Sequence, residues 1–209
     1  YVYKRRDAGG GDGISKATAL ALSVEGVRVA ICARGPNVLD AAAKEIRAIS
    51  SGEILAVPTD ISKPEQITNL MQRVNEKWGG VDILVNNAGR SMAKHFDSVS
   101  DVDWEEDFDL KVWGAVRLIR AVIPEMRKNN GGRIINVTNL GGRTPGPSSM
   151  PTSISRATGI AITKALSKDL ASDNILVNTV CIGLVKSGQH DRRYEALDKE
   201  EYNLTLDEY

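Results

Sequence analysis

The 209-residue chain is poor in the groups that staple a fold, cross a membrane or hold a metal. It has two cysteines, Cys32 and Cys181, each inside an apolar run where cysteine behaves as a small buried hydrophobe, so no disulfide framework or redox role is expected. Its two histidines, His95 and His190, stand isolated, and no metal site is expected. No apolar run approaches the roughly 18–20 residues that span a bilayer, and the first residues lack the apolar core of a secretory signal. Lys+Arg and Asp+Glu each total 27, so no excess charge argues for nucleic acid or an anionic membrane as partner. These absences point to a cytoplasmic protein that handles a small molecule. The length suits one sizeable α/β domain, spanning 1–209, rather than two.

What is present is a regular alternation of strand and helix patterns. A glycine-rich turn, Ala8 to Ser15, leads into a helix from Lys16 to Glu25 with small and apolar residues at Ala17, Leu20, Ala21 and Val24, and Gly26 ends it. Strand patterns follow at Val27 to Ala33, Glu53 to Val57, Val81 to Val85, Arg133 to Val137 and Ile175 to Cys181. Between them, helices are expected over Pro36 to Ser50, Lys63 to Lys77, Val102 to Asn129 and Thr152 to Ala171. This order predicts a three-layer α/β/α fold, a doubly wound parallel sheet of the Rossmann type. The first residues, Tyr1 to Asp7, are charged and poorly suited to a buried central strand.

In such a sheet the ligand lies outside the carboxyl ends of the strands, where the strand order reverses. Four segments fall there: Asp60, Asn86 to Gly89, Thr138-Asn139 and Ile182-Gly183. The glycine-rich turn belongs with them, since backbone amides at Gly9, Gly13 and Ile14 and the following helix N-terminus suit a pyrophosphate. Its spacing misses G-x-G-x-x-G but fits T-G-x-x-x-G-x-G, with Ala8 for the threonine and Ser15 for the last glycine. Arg34, at the end of the second strand pattern, stands where a ribose 2′-phosphate could sit, which favours NADP over NAD, with NAD still possible.

Over residues 8 to 190 the chain resembles the short-chain dehydrogenase/reductase family, through Asn86-Asn87-Ala88-Gly89, Asp60 and the segment Asn178 to Gly183, in which Ile182 replaces the family's proline. The resemblance implies a nicotinamide dinucleotide cofactor contacted by Asp60, Asn87, Ala88, Gly89, Arg156 and Gly183, a carbonyl or alcohol substrate, and a homo-oligomer. It also implies a last strand beyond Tyr209, and makes 187–209 part of a substrate loop. The family's catalytic Asn, Ser, Tyr and Lys correspond here to Lys111, Asn139, Thr152 and Arg156, so all four differ. A carbonyl reductase needs a proton donor beside the carbonyl oxygen. Thr152 is too short and too weakly acidic for the tyrosine's role, and Arg156 keeps a fixed charge. Asn139 can donate an amide hydrogen bond to the oxygen, and Lys111 can act as acid if burial lowers its pKa.

Plainer roles compete at each position. Lys111 could pair with Asp107 or Asp109 along its helix, Thr152 could start or cap its helix, and Asp60 could cap the next one. Two functions therefore stand: an NADP(H)-dependent oxidoreductase, or a catalytically silent dinucleotide-binding relative that regulates or scaffolds.

Overall fold

A computed structural model describes residues 2–5, 13–183 and 194–195. Six parallel strands, β1 (Val2–Arg5), β2 (Val29–Ala33), β3 (Ile54–Pro58), β4 (Ile83–Asn86), β5 (Gly132–Asn139) and β6 (Ile175–Ile182), form two hydrogen-bonded ladders, β1-β2-β3 and β4-β5-β6. The ladders approach each other along β1 and β4. Strand order is therefore β3-β2-β1-β4-β5-β6, and it reverses between β1 and β4. The charged start does form a strand, with Val2 to Arg5 in register with Ala30 to Ala33. Ladder bonds come from the backbone, so a polar composition does not prevent the pairing.

β2 is covered on both faces, which explains its continuous apolar run, whereas β6 alternates between buried and exposed residues. In β2, Ala30 and Cys32 enter one core with Leu70, Val74 and Val122, while Val29, Ile31 and Ala33 enter the other with Leu39, Ala43 and Ile46. The first core lies under α3 (Pro64–Trp78) and α5 (Gly114–Lys128), the second under α1 (Ile14–Val24) and α2 (Pro36–Ile49). Period-2 alternation of side chains across the sheet produces this division. Among the described residues no helix is long and apolar enough to cross a membrane.

Three details differ from the sequence pattern. In α1 the buried stripe is Ser15, Ala19 and Ser23, while Ala17 and Ala21 are exposed. Small residues let α1 lie close to the sheet, and Ser23 Oγ meets Ser50 Oγ at 2.6 Å, which satisfies two polar groups there. The single helix predicted over Val102 to Asn129 is three pieces: α4 (Asp101–Phe108), a π-helical turn over Asp109–Trp113, and α5. Cys32 is buried as expected, but Cys181 is half-buried and has its Sγ 3.3 Å from Thr138 Oγ1.

One glycine is demanded by the chain reversal between α5 and β5. Gly131 has φ +144°, and a Cβ there would lie 2.8 Å from the Asn174 carbonyl oxygen. Gly131→Ala is expected to lower stability by about 1–3 kcal/mol, since both the backbone angle and the contact oppose a side chain. Denaturant unfolding checks it; an unchanged midpoint would contradict it.

Candidate active site

The carboxyl ends of the strands and the start of α1 build the cofactor side. Gly13, at the N-cap of α1, is extended at φ −178°, with no side-chain cap and no acidic residue in the first turn. Among the described residues, a Cβ at Gly13 would meet nothing within 4 Å. The amides and dipole of this helix end suit an anion. Asn87 Nδ2 donates to Ser15 Oγ, tying the end of β4 to α1. Ser15, the residue standing for the motif's last glycine, is thus a strut. Gly9 and the rest of the turn from Ala8 to Asp12 lie outside the described residues.

Arg34 follows β2 directly, and Gly183, exposed, follows β6. Ala88, after β4, packs against the core that Ala30 and Cys32 enter. Asp60 organises the turn into α3: its Oδ1 accepts from Ser62 N at 3.0 Å and Ser62 Oγ at 2.8 Å, and its own N–H donates to Gln66 Oε1 at 2.6 Å. That is a turn-stabilising arrangement, one residue group earlier than the N-cap, Lys63.

The chemistry side is a buried charge cluster. Asp107, fully buried on α4, accepts a hydrogen bond from Lys111 Nζ on Oδ1 and one of 2.6 Å from Ser155 Oγ on Oδ2. Lys111, itself buried in the π-helical turn, also donates to Thr152 Oγ1 at 3.1 Å. Asp109, the other proposed partner, pairs instead with Arg117. A π turn shifts helix register by inserting a residue, and such turns recur at functional sites. Burial pushes the Lys111 ammonium down to about 8, Asp107 opposes that shift, and the cations Arg156 and Arg90 reinforce it.

Thr152 is the first residue of α6 (Thr152–Asp169), but its hydroxyl does not cap the helix. It accepts from Met92 N at 2.8 Å as well as from Lys111. Both oxygen lone pairs are therefore engaged, and Thr152 holds the loop and the lysine together.

Arg156 lies one turn on. Its Nη1 donates to the Val137 carbonyl at 2.7 Å, and its buried Nε has no partner among the described residues. Burial lowers its pKa and Asp107 opposes this, but a guanidinium remains charged. A Cβ on Gly89 would sit 2.6 Å from Arg156 Nη2 and 3.4 Å from Lys111 Cε, so the bare glycine is what lets both cations stand at this point. Asn139 Oδ1 and Asn86 Oδ1 are also buried with no partner among the described residues. Lys111, Arg156, Ser155 and Asn86 line a common cavity of about 30 Å³.

The structure brings three of the four candidate positions together, with Lys111 in the π turn donating to Thr152 at the head of α6 and standing with Arg156 beside Gly89, while Asn139 ends β5. Sequence reasoning weighed Asp107 only as an ion-pair partner and did not single out Ser155. The signal for Asp107 was its i,i+4 spacing from Lys111; nothing in the sequence placed Ser155 on the carboxylate. A dinucleotide fits the crevice on two grounds: the missing side chain at Gly89 and an Arg156 donor that has no partner among the described residues.

Residues 8–198 match the family model for short chain dehydrogenase. A 3-oxoacyl-[acyl-carrier-protein] reductase of Synechocystis sp. is 34% identical over 178 residues, 85% of this chain and 72% of that protein. Among solved structures, L-sorbose reductase from Gluconobacter frateurii, complexed with NADPH and L-sorbose, gives a TM-score of 0.88 at 29% identity, over 95% of this chain and 75% of that one. An NADPH-bound short chain oxidoreductase from Pseudomonas aeruginosa PAO1, containing an atypical catalytic center, gives 0.85 at 31% identity, over 93% and 76% of the two chains.

Proposed function

Because the chain belongs to the short-chain dehydrogenase/reductase family, we propose that it is an NADP(H)-dependent oxidoreductase that interconverts a carbonyl and an alcohol, with Lys111 as its proton donor. The observation that carries the reading is the buried lysine held between Asp107 and Thr152 at the family's reaction site. Two NADPH-bound structural neighbours support the choice of cofactor.

In this reading the amides of Gly9, Gly13 and Ile14 take the pyrophosphate, and Arg34 the 2′-phosphate. Asp60, Asn87, Ala88, Gly89 and Gly183 line the cofactor. The bound reduced dinucleotide supplies a hydride and is itself oxidised. A carbonyl reduced here would gain its new C–H bond from that hydride, and Lys111 would give its Nζ proton to the carbonyl oxygen to form the O–H bond. Asn139 holds the oxygen by its amide, and Thr152 positions the lysine. Asp107 keeps Lys111 in the charged form between turnovers, when it regains its proton from solvent. A cytoplasmic location and a homo-oligomeric assembly accompany the reading, carried by the family likeness alone.

Fluorescence titration with NADPH and NADH tests the cofactor side. NADPH is expected to bind about tenfold or more tightly, and Arg34→Ala to remove the preference, because a charge-assisted contact to the 2′-phosphate is lost. Absence of saturable NADPH binding would defeat the proposal. Saturable binding without oxidation by any carbonyl would favour the silent, regulatory relative instead.

A further inference from the structure

Lys111 is held so that one direction of its nitrogen stays unused. Nζ is tetrahedral and bonded to Cε, and it donates to Asp107 Oδ1 and, at 3.1 Å, to Thr152 Oγ1. Neither partner offers it a proton in return. An ionised carboxylate only accepts, and both Thr152 lone pairs are engaged, by Lys111 and by Met92 N. The remaining direction has no partner among the described residues, and Lys111 lines the cavity together with Ala88, Leu110 and Ser155. In the ammonium that direction carries the third N–H. In the free amine the same two hydrogen bonds persist, and the direction carries the lone pair. The reductase reading uses the first form; the second is a nucleophile.

The surroundings favour the second form more than they would on a surface. The Lys111 side chain is 3% exposed, and an amine stripped of water gives up its proton more readily. Arg156 on α6 and Arg90 after β4 add to that effect, Asp107 on α4 opposes it, and the pKa falls from 10.5 to about 8. The other nearby carboxylates are already engaged, Glu106 by Arg90 and Asp109 by Arg117. Near neutral pH, Lys111 therefore holds about a hundredfold more free amine than an ordinary lysine.

We propose that Lys111 is a covalent site for short-chain aldehydes, which its amine captures as an iminium ion held against Asp107. The Nζ lone pair adds to the aldehyde carbon as the C=O π electrons pass to oxygen, and Asp107 Oδ1 takes one N–H proton and returns it to that oxygen. A second proton, from solvent, lets the oxygen leave as water while the C=N bond forms. The iminium retains one N–H for Asp107 and its positive charge, so the buried carboxylate keeps a cation. A short chain is required because the amine is so little exposed and its Cε lies only 3.4 Å from where a Cβ on Gly89 would stand. No dinucleotide takes part, so this activity goes beyond the reductase reading and does not depend on it.

Acetaldehyde followed by a borohydride quench tests the proposal on the cofactor-free protein, with N-ethyl groups located by peptide mass spectrometry. Lys111 is expected to be labelled at about tenfold or more lower acetaldehyde than the exposed Lys44, Lys63 and Lys164, which serve as internal standards. Its initial rate is expected to rise with pH and level off above about 8, whereas an ordinary lysine continues to gain free amine up to about 10.5. Unfolding in guanidinium is expected to erase the preference. Labelling of Lys111 no better than that of the exposed lysines, or with the same pH dependence as theirs, overturns the proposal. The label is mapped on the wild type, so no variant has to fold. A protein that labels at Lys111 and reduces no carbonyl strikes the reductase reading alone, and one that reduces carbonyls and leaves Lys111 unlabelled strikes this one alone.

Discussion

Lys111→Met is expected to lower carbonyl reduction by about 10²–10⁴-fold, the usual contribution of a positioned general acid. The same substitution is expected to destabilise the fold by about 3–5 kcal/mol, because it leaves the fully buried Asp107 carboxylate without its cation. Low activity in a poorly folded protein would by itself be ambiguous. The double variant Asp107→Asn/Lys111→Met resolves this, since it removes both charges from the interior and replaces them with neutral groups of similar size. Its stability is expected to return close to that of the wild type, as removal of a whole buried pair commonly costs little. Its turnover is expected to stay as low as that of Lys111→Met. Melting curves and kcat on the three proteins complete the cycle. Recovery of both stability and turnover in the double variant would show that Lys111 is a structural ion-pair residue and nothing more.

The second large effect is on pH dependence, and activity and stability are expected to move in opposite directions. Lys111 donates a proton only while it is an ammonium, and its pKa lies at about 8. Reductive kcat should therefore be level below that value and fall about tenfold per pH unit above it. For stability the sign runs the other way. The folded-state pKa is depressed below the ordinary 10.5 of lysine. Between about 8 and 10.5 the unfolded chain binds a proton that the folded chain does not, so this residue's contribution to stability rises with pH across that window. Below about 8 the lysine is charged in both states, and the cost of burying that charge is fully present. The comparison of wild type with Lys111→Met isolates this contribution.

Asp107 is the group that resists the shift, while Arg156 and Arg90 act in the same direction as burial. Asp107→Asn is therefore expected to move the alkaline limb to lower pH by about one unit or more, because the remaining charged neighbours all disfavour the ammonium. A role confined to packing would lower the amplitude of the pH profile and leave its midpoint in place.

The parts of this protein legible in the sequence are those set by local pattern. The strand Val29–Ala33 announces itself as an unbroken apolar run because it is buried on both faces. Pro36 and Pro64 mark the starts of α2 and α3, where the missing N–H costs nothing. The Asn86-Asn87-Ala88-Gly89 stretch was placed at a strand end, and β4 indeed closes at Asn86.

What was not legible depends on how distant side chains meet. Of the small and apolar residues Ala17, Leu20, Ala21 and Val24 read in α1, Leu20 packs against a core, while the helix also buries Ser15 and Ser23, which Asn87 and Ser50 satisfy from elsewhere in the chain. No composition signal marks the π turn at Asp109–Trp113, although it carries Lys111. Ser155 and Met92 join the site through single hydrogen bonds to Asp107 and Thr152, contacts 48 and 60 residues apart in the chain. The free edge of Arg156 likewise exists only because Val137 takes one of its nitrogens and Gly89 makes room for another.

The central claim, that this chain transfers hydride to a carbonyl with Lys111 as acid, is met most directly by isotope tracing. NADPH carrying deuterium at the transferable position of its nicotinamide is incubated with the purified protein and a broad panel of aldehydes and ketones at neutral pH, and the products are read by NMR. The account predicts deuterium on the carbinol carbon of an alcohol product with the wild type, and about a hundredfold or more less label with Lys111→Met, in line with loss of a general acid. Unlabelled or absent product from a wild-type protein that binds NADPH saturably would contradict it.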